Sequence, residues 1–146
     1  MLELQVKCDA GAILPSWNGE PGNLFYADGG LDIHANEHRG IQPGGRAIIG
    51  TGIYTAFHPQ YVALLRDRSG NAAKHGVTVL AGVIDSGYRG EWKIVMLNTS
   101  DEVFCIGPGD RICQAIFVQP QHLRIEQVLE LPSSDRGEKG FGSSGK

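Results

Sequence analysis

The chain has 146 residues, enough for one domain with its own hydrophobic core, and a second domain is not expected. Its formal net charge of −3 argues against a broad basic face for duplex DNA, which is held mainly through Lys and Arg contacts to phosphate. The 3 cysteines lack CxxC spacing, so neither a disulfide framework nor a structural zinc site is indicated, and no run approaches the ~20 apolar residues of a membrane span. We therefore expect a cytoplasmic protein, or a nuclear one in a eukaryotic host, with neither nucleic acid nor membrane as a partner.

The predicted elements begin with a loop, because residues 14–30 are interrupted by Pro and Gly throughout. Short runs rich in Val, Ile, Tyr, Phe and Trp then follow, punctuated by Gly, Pro, Asn or Asp, which is typical of an all-β barrel or sandwich. One helix is predicted, from Ser69 to His75, with Ser69 as its cap. The predicted strands cover residues 47–49, 52–57, 61–65, 77–80, 92–97, 103–106, 112–118 and 123–128.

A motif for nucleophilic chemistry lies between two of these strands, in Gly82 to Glu91. Asp85 follows an apolar pair, so we expect its carboxylate to be partly shielded from water, and a carboxylate held there could accept a proton from water as a general base. The alternative is a turn aspartate that bonds its own backbone. Tyr88 could lay its ring against a ligand or pack in the core, and Arg89 is expected to be a solvated charge.

Two further segments offer contacts for phosphate. Arg68, Ser69 and Gly70 supply a forked cation, a hydroxyl and an unhindered N–H at the start of the predicted helix. Gln114 is a polar residue in an otherwise apolar strand, so it either contacts a ligand or is a satisfied amide on an edge strand.

The last segment is poor in apolar residues beyond Leu131 and is expected to be mobile until it binds something. We divide the chain into a domain of residues 1–131 and a flexible Gly- and Ser-rich tail of residues 132–146. Backbone N–H groups at the tail glycines could converge on an anion beside Arg136 and Ser143. Phe141 would stack on a nucleobase; the alternative is a plain linker with a stray aromatic.

Taken together, five segments resemble the homotrimeric dUTP diphosphatase (dUTPase) family, whose members carry five motifs in this order. The resemblance implies a jelly-roll-like β-barrel with one short helix, a homotrimer in which each active site draws motifs from three subunits, and a tail that closes over that site. The five segments are Gly29 to Ile33, Arg68 to Lys74, Gly82 to Glu91, Gly109 to Gln114 and Asp135 to Gly145.

The resemblance also implies the reaction, which is hydrolysis of dUTP to dUMP and diphosphate by Mg²⁺-assisted attack of water on the α-phosphorus. Such an enzyme limits uracil in DNA and supplies dUMP for thymidylate synthesis. By position, Asp85 would deprotonate the water, Tyr88 would pack under the deoxyribose, and Asp32 would hold the metal through water. The other implied substrate contacts are Gly82, Val83 and Ile84 with the uracil, Arg68, Ser69, Gly70, Lys93 and Gln114 with phosphates, and Arg136, Phe141, Gly142 and Ser143 in the closing tail.

The chain departs from the family pattern at Lys139 and Asn71, where a glycine and a leucine are usual, and at Gly87, where an acidic residue is frequent. A related fold, dCTP deaminase, is disfavoured because Val95 and Ala73 stand where it carries a catalytic Glu and Arg. A non-catalytic trimer that serves as a binding module and a structural jelly-roll protein are the remaining interpretations of the same pattern.

Overall fold

The computed structural model describes residues 2–17, 20–21 and 28–138. Within these ranges it contains thirteen β-strands and one short α-helix. They are β1 (Leu4–Cys8), β2 (Ser16–Trp17), β3 (Glu20–Pro21), β4 (Leu31–His34), β5 (Arg39–Ile41), β6 (Arg46–Gly50), β7 (Ile53–Phe57), β8 (Val62–Arg66), α1 (Ser69–His75), β9 (Val77–Leu80), β10 (Val83–Asp85), β11 (Lys93–Asn98), β12 (Phe104–Ile106) and β13 (Arg111–Val118).

The largest sheet has six strands in the order β10-β8-β13-β4-β2-β3. Strand β13 pairs antiparallel with both β8 and β4, so that Gln114 lies opposite Arg66 on one side and Asp32 on the other. Gln114 is therefore on a central strand, and the edge-strand alternative for this residue is wrong. Strand order depends on pairings between distant segments, which the local sequence pattern does not contain.

The remaining strands form a three-stranded sheet, β6-β11-β9, and two pairs, β1-β7 and β12-β5. Strands β9 and β10 are separated only by Ala81 and Gly82, yet β9 pairs with β11 and β10 pairs with β8. The chain thus passes from one sheet to another at this point, which we call the Ala81–Gly82 corner. Both residues have positive φ, 61° and 96°, and Ala81 is the only non-glycine residue of the described ranges that does.

The core lies between the sheets and is built by alternation along the strands. In β11, Ile94, Met96 and Asn98 are buried and their neighbours are not. Trp92 is fully buried at the start of this strand, and its indole N–H donates to Thr55 Oγ1 at 2.9 Å. Trp92, Thr55 and Asn98 thus all have hydrogen-bond partners, which avoids the free energy lost when a buried polar group is desolvated alone.

The prediction of an all-β protein with one short helix is confirmed, and α1 has the predicted bounds. Its N-cap residue, however, is Arg68 rather than Ser69, and no side chain within the described part of the chain caps it. The predicted loop at residues 14–30 is also partly wrong, because Ser16–Trp17 is a strand that pairs with β4 opposite Asp32. Pairing with a remote strand outweighs the turn-forming residues around it.

The predicted strand at residues 123–128 is wrong. Strand β13 ends at Val118, and residues 119–138 contain neither helix nor strand and are exposed throughout. Apolar side chains in this segment have no described partner layer to pack against, so the alternating pattern alone does not produce a strand. The division at residue 131 stays a prediction, and residues 139–146 lie outside the described ranges. Within those ranges, no helix is long and apolar enough to cross a membrane.

Candidate active site

One cleft brings together residues from three of the predicted motifs, and we call it the Arg68 cleft. It has a volume of about 390 Å³ and is bounded by the start of β4, the β8–α1 connection and β13. These segments are far apart in sequence and meet because β13 lies between β4 and β8 in the sheet. The lining residues are Asp28, Gly29, Gly30, Asp32, Arg68, Ser69, Gly70, Arg111 and Gln114.

Asp32 is the electrostatic centre of this cleft. Its Oδ1 accepts a hydrogen bond from Arg68 Nε at 2.8 Å, and its Oδ2 accepts one from Arg111 Nη1 at 3.1 Å. The carboxylate is only 12% exposed, so solvent screens these pairs less than surface pairs. One carboxylate thus orients two guanidinium groups, whose N–H groups can also bind an anion.

Gln114 is fixed in the cleft from two sides. Its Nε2 donates to the backbone oxygen of Asp67 at 2.8 Å. On the other side, the backbone of Gly30 comes so close that a Cβ there would lie 2.7 Å from Gln114 Oε1 and 3.2 Å from its Cβ. A side chain at position 30 would therefore displace Gln114, which accounts for the second glycine of the first motif.

The first turn of α1 faces the cleft with Ser69 and Gly70 exposed. The first N–H groups of any helix lack intrahelical acceptors, and within the described part of the chain no side chain caps this one. The first turn contains no acidic residue, whereas Lys74 and His75 occupy the last turn. The start of α1 thus offers hydrogen-bond donors beside Arg68, as the sequence predicted.

Asp85 and Tyr88 lie in a turn after β10, and we call residues 85–91 the Tyr88 turn. Asp85 is the last residue of that strand and is exposed, rather than partly shielded as its apolar neighbours suggested, while Ile84 points into the core. The backbone N–H of Tyr88 donates to Asp85 O at 3.0 Å, and Tyr88 Oη donates to Glu91 O at 3.0 Å. The tyrosine ring therefore lies over Gly90, with 44% of the residue left exposed.

Arg89, expected to be a solvated charge, closes this turn instead. Its Nη1 donates to the backbone oxygens of Ser86 at 2.6 Å, Tyr88 at 3.1 Å and Thr55 at 3.3 Å. The guanidinium thus ties the turn to β7. Sequence reasoning missed this role because the acceptors are backbone carbonyls, which every residue carries.

The two groups of predicted site residues lie apart within one chain. Asp85 is opposite Val62 of β8, whereas Gln114 is opposite Arg66, four residues further along the same strand. At a rise of about 3.3 Å per residue and a strand spacing of about 4.8 Å, Asp85 and Gln114 are about 16 Å apart.

Several more of the predicted residues also lie away from the Arg68 cleft. Lys93 is exposed at the start of β11 and pairs with Glu91 Oε2 at 3.8 Å, so it is near the Tyr88 turn. Val83 is exposed on β10, and Gly82 packs against Leu65, where a Cβ would lie 3.2 Å from the Leu65 Cβ. Arg136 is in the exposed segment after β13, and Phe141, Gly142 and Ser143 lie outside the described ranges.

Three residues of the site were missed by sequence reasoning as individual contributors. Arg111 shares Asp32 with Arg68, Asn71 Nδ2 donates to Arg111 O at 3.0 Å, and the Asp67 carboxylate binds β9. Asn71 is within the second sequence motif and Arg111 within the fourth, but nothing in the sequence says which partner each one takes.

The donor set at Asp32 fits a metal bound through water. Each carboxylate oxygen accepts one hydrogen bond from an arginine and keeps a lone pair that can accept from a metal-bound water. No three His, Cys, Asp or Glu side chains of the described residues lie close enough to hold a metal ion together.

His34 follows Asp32 on β4 and is buried. Burial lowers the pKa of its imidazole, an effect that the carboxylate of Asp32 partly opposes. The pKa therefore stays below its ordinary value of about 6.5, and His34 adds no third positive charge to the cleft at neutral pH.

The fold and the cleft define an all-β protein with a cleft that contains two arginines held by one carboxylate, and a separate turn that carries an exposed carboxylate and tyrosine. The family model described as dUTPase matches residues 26–145, and the chain belongs to this family.

Known dUTPases are similar to this chain over most or nearly all of its length. The deoxyuridine 5′-triphosphate nucleotidohydrolase of Clostridium acetobutylicum is 43% identical over 148 residues, covering 99% of this chain and 98% of that protein. Among solved structures, a mutant dUTPase of Staphylococcus bacteriophage 80alpha with dUpNHpp is 31% identical, covers 99% of both chains and has a TM-score of 0.86. A mutant dUTPase from phage phi11 of S. aureus, described with a structural Mg(II) ion, is 26% identical, covers 90% of this chain and 99% of the other, and has a TM-score of 0.77.

Proposed function

We propose that this chain hydrolyses dUTP to dUMP and diphosphate through attack of water on the α-phosphorus. The observation that carries the proposal is the Arg68 cleft, in which Arg68, Arg111 and the open start of α1 converge around Asp32 in a chain of the dUTPase family. Arginine forks match phosphate oxygens in a bidentate way, so two of them in one cleft suit a polyphosphate. In this role Arg68, Ser69, Gly70 and Gln114 hold the phosphates.

The Tyr88 turn would bind the nucleoside. Asp85 takes the proton from the attacking water. A general base must come within about 3 Å of the water oxygen, and Asp85 can do so because its carboxylate is exposed at the end of β10. The ring of Tyr88, held over Gly90 by its hydrogen bond to Glu91 O, offers a flat apolar surface for the deoxyribose. The backbone between Leu80 and Ile84 reads the uracil edge.

Mg²⁺ is the cofactor that fits this reaction. When bound, it neutralises charge on the triphosphate and aligns the phosphate oxygens for in-line displacement. Asp32 would hold the metal through water, while its oxygens keep Arg68 and Arg111 in position.

A single subunit cannot complete this site. Asp85 and Gln114 of one chain are about 16 Å apart. When the phosphates are held at the Arg68 cleft, Asp85 of the same chain is too far from the α-phosphorus to act on the attacking water. We therefore assign the two groups of one chain to two different active sites in a homotrimer. Each site combines the Tyr88 turn of one subunit with the Arg68 cleft of another.

Two apolar surfaces support self-association. Ile48, Val95 and Leu80 form a row across β6, β11 and β9, and Ile48 is 57% exposed. The segment after β13 also exposes a series of large apolar side chains, which monomeric soluble proteins seldom do. These are Leu123, Ile125, Val128, Leu129 and Leu131.

The tail would supply the third part of each site. In this role Arg136, Phe141, Gly142 and Ser143 close over the γ-phosphate and the base, and the exposed segment 119–138 would carry them to a neighbouring subunit. The substrate is an intracellular nucleotide and all three cysteines are free thiols, which suits the cytoplasm.

The test is diphosphate release from dUTP, dCTP, dTTP and UTP, with and without EDTA. We expect selective, metal-dependent turnover of dUTP, and Asp85→Asn should abolish turnover while the nucleotide still binds. Ammonia from dCTP would indicate a deaminase instead, and absence of turnover by a folded protein that binds nucleotide would indicate a non-catalytic binding module. Light scattering measures the trimer separately.

A further inference from the structure

Asp67 connects three parts of the molecule at the end of β8, immediately before Arg68. Its carboxylate Oδ1 accepts a hydrogen bond from the backbone N–H of Val79 at 2.6 Å, and its Oδ2 accepts one from Thr78 Oγ1 at 2.9 Å. Its backbone oxygen accepts the hydrogen bond from Gln114 at 2.8 Å. One residue therefore contacts both the cleft and β9, the strand that leads into the Ala81–Gly82 corner.

The corner needs such support because its backbone conformation is unfavourable. Ala81 has φ 61°, a left-handed conformation that residues with a Cβ seldom adopt, and such strain persists only where the surroundings hold it. On the far side of the corner, the backbone N–H of Leu65 donates to Gly82 O at 2.7 Å. On the near side, the carboxylate of Asp67 binds Thr78 and Val79. Residues at the end of β8 thus contact the chain both before and after Ala81.

We propose that Asp67 is a positioning residue for base selection, because its carboxylate fixes the Ala81–Gly82 corner at the distance that admits uracil and excludes a larger base. This inference rests on the proposed function, in which the backbone from Leu80 to Ile84 reads the uracil edge. We call the two hydrogen bonds from Thr78 and Val79 to the Asp67 carboxylate the clamp. Hydrogen bonds from a backbone N–H to a carboxylate are stronger than those to a neutral acceptor, so the clamp is stiffer than an ordinary sheet contact.

Loss of the clamp has a specific consequence. Without the Asp67 carboxylate, β9 keeps its pairing with β11, but β9 loses its contacts with the end of β8, so the corner can move relative to β8. A wider corner accepts a methyl group at the base edge, and a pocket's rejection of one methyl is normally worth about 10- to 200-fold in kcat/KM. Exclusion of thymine should therefore weaken before catalysis on dUTP does.

The experiment compares kcat/KM for dUTP and dTTP in the full-length protein and in Asp67→Ala, Asp67→Asn and the control Asp101→Ala, which changes an exposed aspartate. We expect the dUTP/dTTP ratio to fall about tenfold in Asp67→Ala, with a smaller change in kcat for dUTP. Asp67→Asn should stay within about twofold of wild type, since its amide still reaches both Val79 N–H and Thr78 Oγ1. Asp101→Ala should match wild type.

An unchanged ratio in Asp67→Ala would overturn the inference, because a merely structural role lowers the amount of folded enzyme equally for both substrates. An equal loss in the Asn and Ala variants would also contradict it. If Asp67→Ala does not fold, Thr78→Val removes one of the two contacts and should lower the ratio about threefold; a wild-type ratio there overturns the inference in that case. Failure of the wild-type protein to hydrolyse dUTP removes the proposed function and this inference together, whereas dUTP turnover with an unchanged ratio removes the inference alone.

Discussion

Complementation between two inactive variants tests the assignment of Asp85 and Arg68 to different active sites. Asp85→Asn removes the base at the end of β10 but leaves the Arg68 cleft intact. Arg68→Gln removes the phosphate fork but leaves the Tyr88 turn intact, and its amide can still donate to Asp32. Loss of one preorganised donor to a transition state lowers kcat about 10²- to 10³-fold, so each pure variant should be nearly inactive.

The expected recovery follows from the geometry. If each site takes Asp85 from one subunit and Arg68 from another, a site in a randomly mixed trimer is intact only when both subunits carry the right variant. At equal amounts of the two chains, each condition is met half the time, so about a quarter of all sites should be intact; once the two pure trimers are removed, about one site in three of each mixed trimer should be intact. If one subunit supplied both residues, every site would keep one substitution and no activity would return.

The assay mixes the two variants after partial unfolding or by co-expression with different tags, isolates the mixed trimers and measures diphosphate release from dUTP. Wild-type protein carried through the same treatment sets the full rate, and each variant treated alone sets the background. Activity near the background in verified mixed trimers would refute the strand-register argument that separates Asp85 from Gln114 by about 16 Å.

Three further predictions follow from other parts of the chain. Gly30→Ala should raise KM for dUTP about tenfold, because its Cβ would displace Gln114, whereas Gly29→Ala, where a Cβ would meet no described atom within 4 Å, should not; equal KM values in steady-state kinetics would contradict this. Burial raises the pKa of the Cys113 thiol, so iodoacetamide should modify Cys113 only after unfolding, and mass spectrometry that finds it modified in the native protein would refute the buried position. Deletion of residues 132–146 should lower kcat/KM for dUTP about a hundredfold while Tm stays near that of the full chain, and a truncated enzyme at full rate would remove the tail from the mechanism.

Local elements were largely accessible from sequence. The short strands punctuated by glycine and proline predicted an all-β protein, and the run from Ser69 to His75 predicted the one helix with its observed bounds. The strand predicted at 123–128 failed because a strand needs a partner, and no described strand pairs with this segment. At Ser16–Trp17 the sequence predicted a loop where the structure has a strand, because the strand that pairs with it, β4, is separate from it in the chain.

The candidate site divides in the same way. Sequence analysis alone identified the available side chains, namely arginines and a helix start for phosphate, and a carboxylate after a strand with a tyrosine three residues later. Their contacts became evident only in the folded chain, where Asp32 joins Arg68 to Arg111, Asp67 binds β9, and Asp85 and Gln114 lie opposite the two ends of β8. Residue chemistry is a local property, whereas these contacts depend on the order and register of strands that are distant in sequence, and a change in either would bring different side chains together.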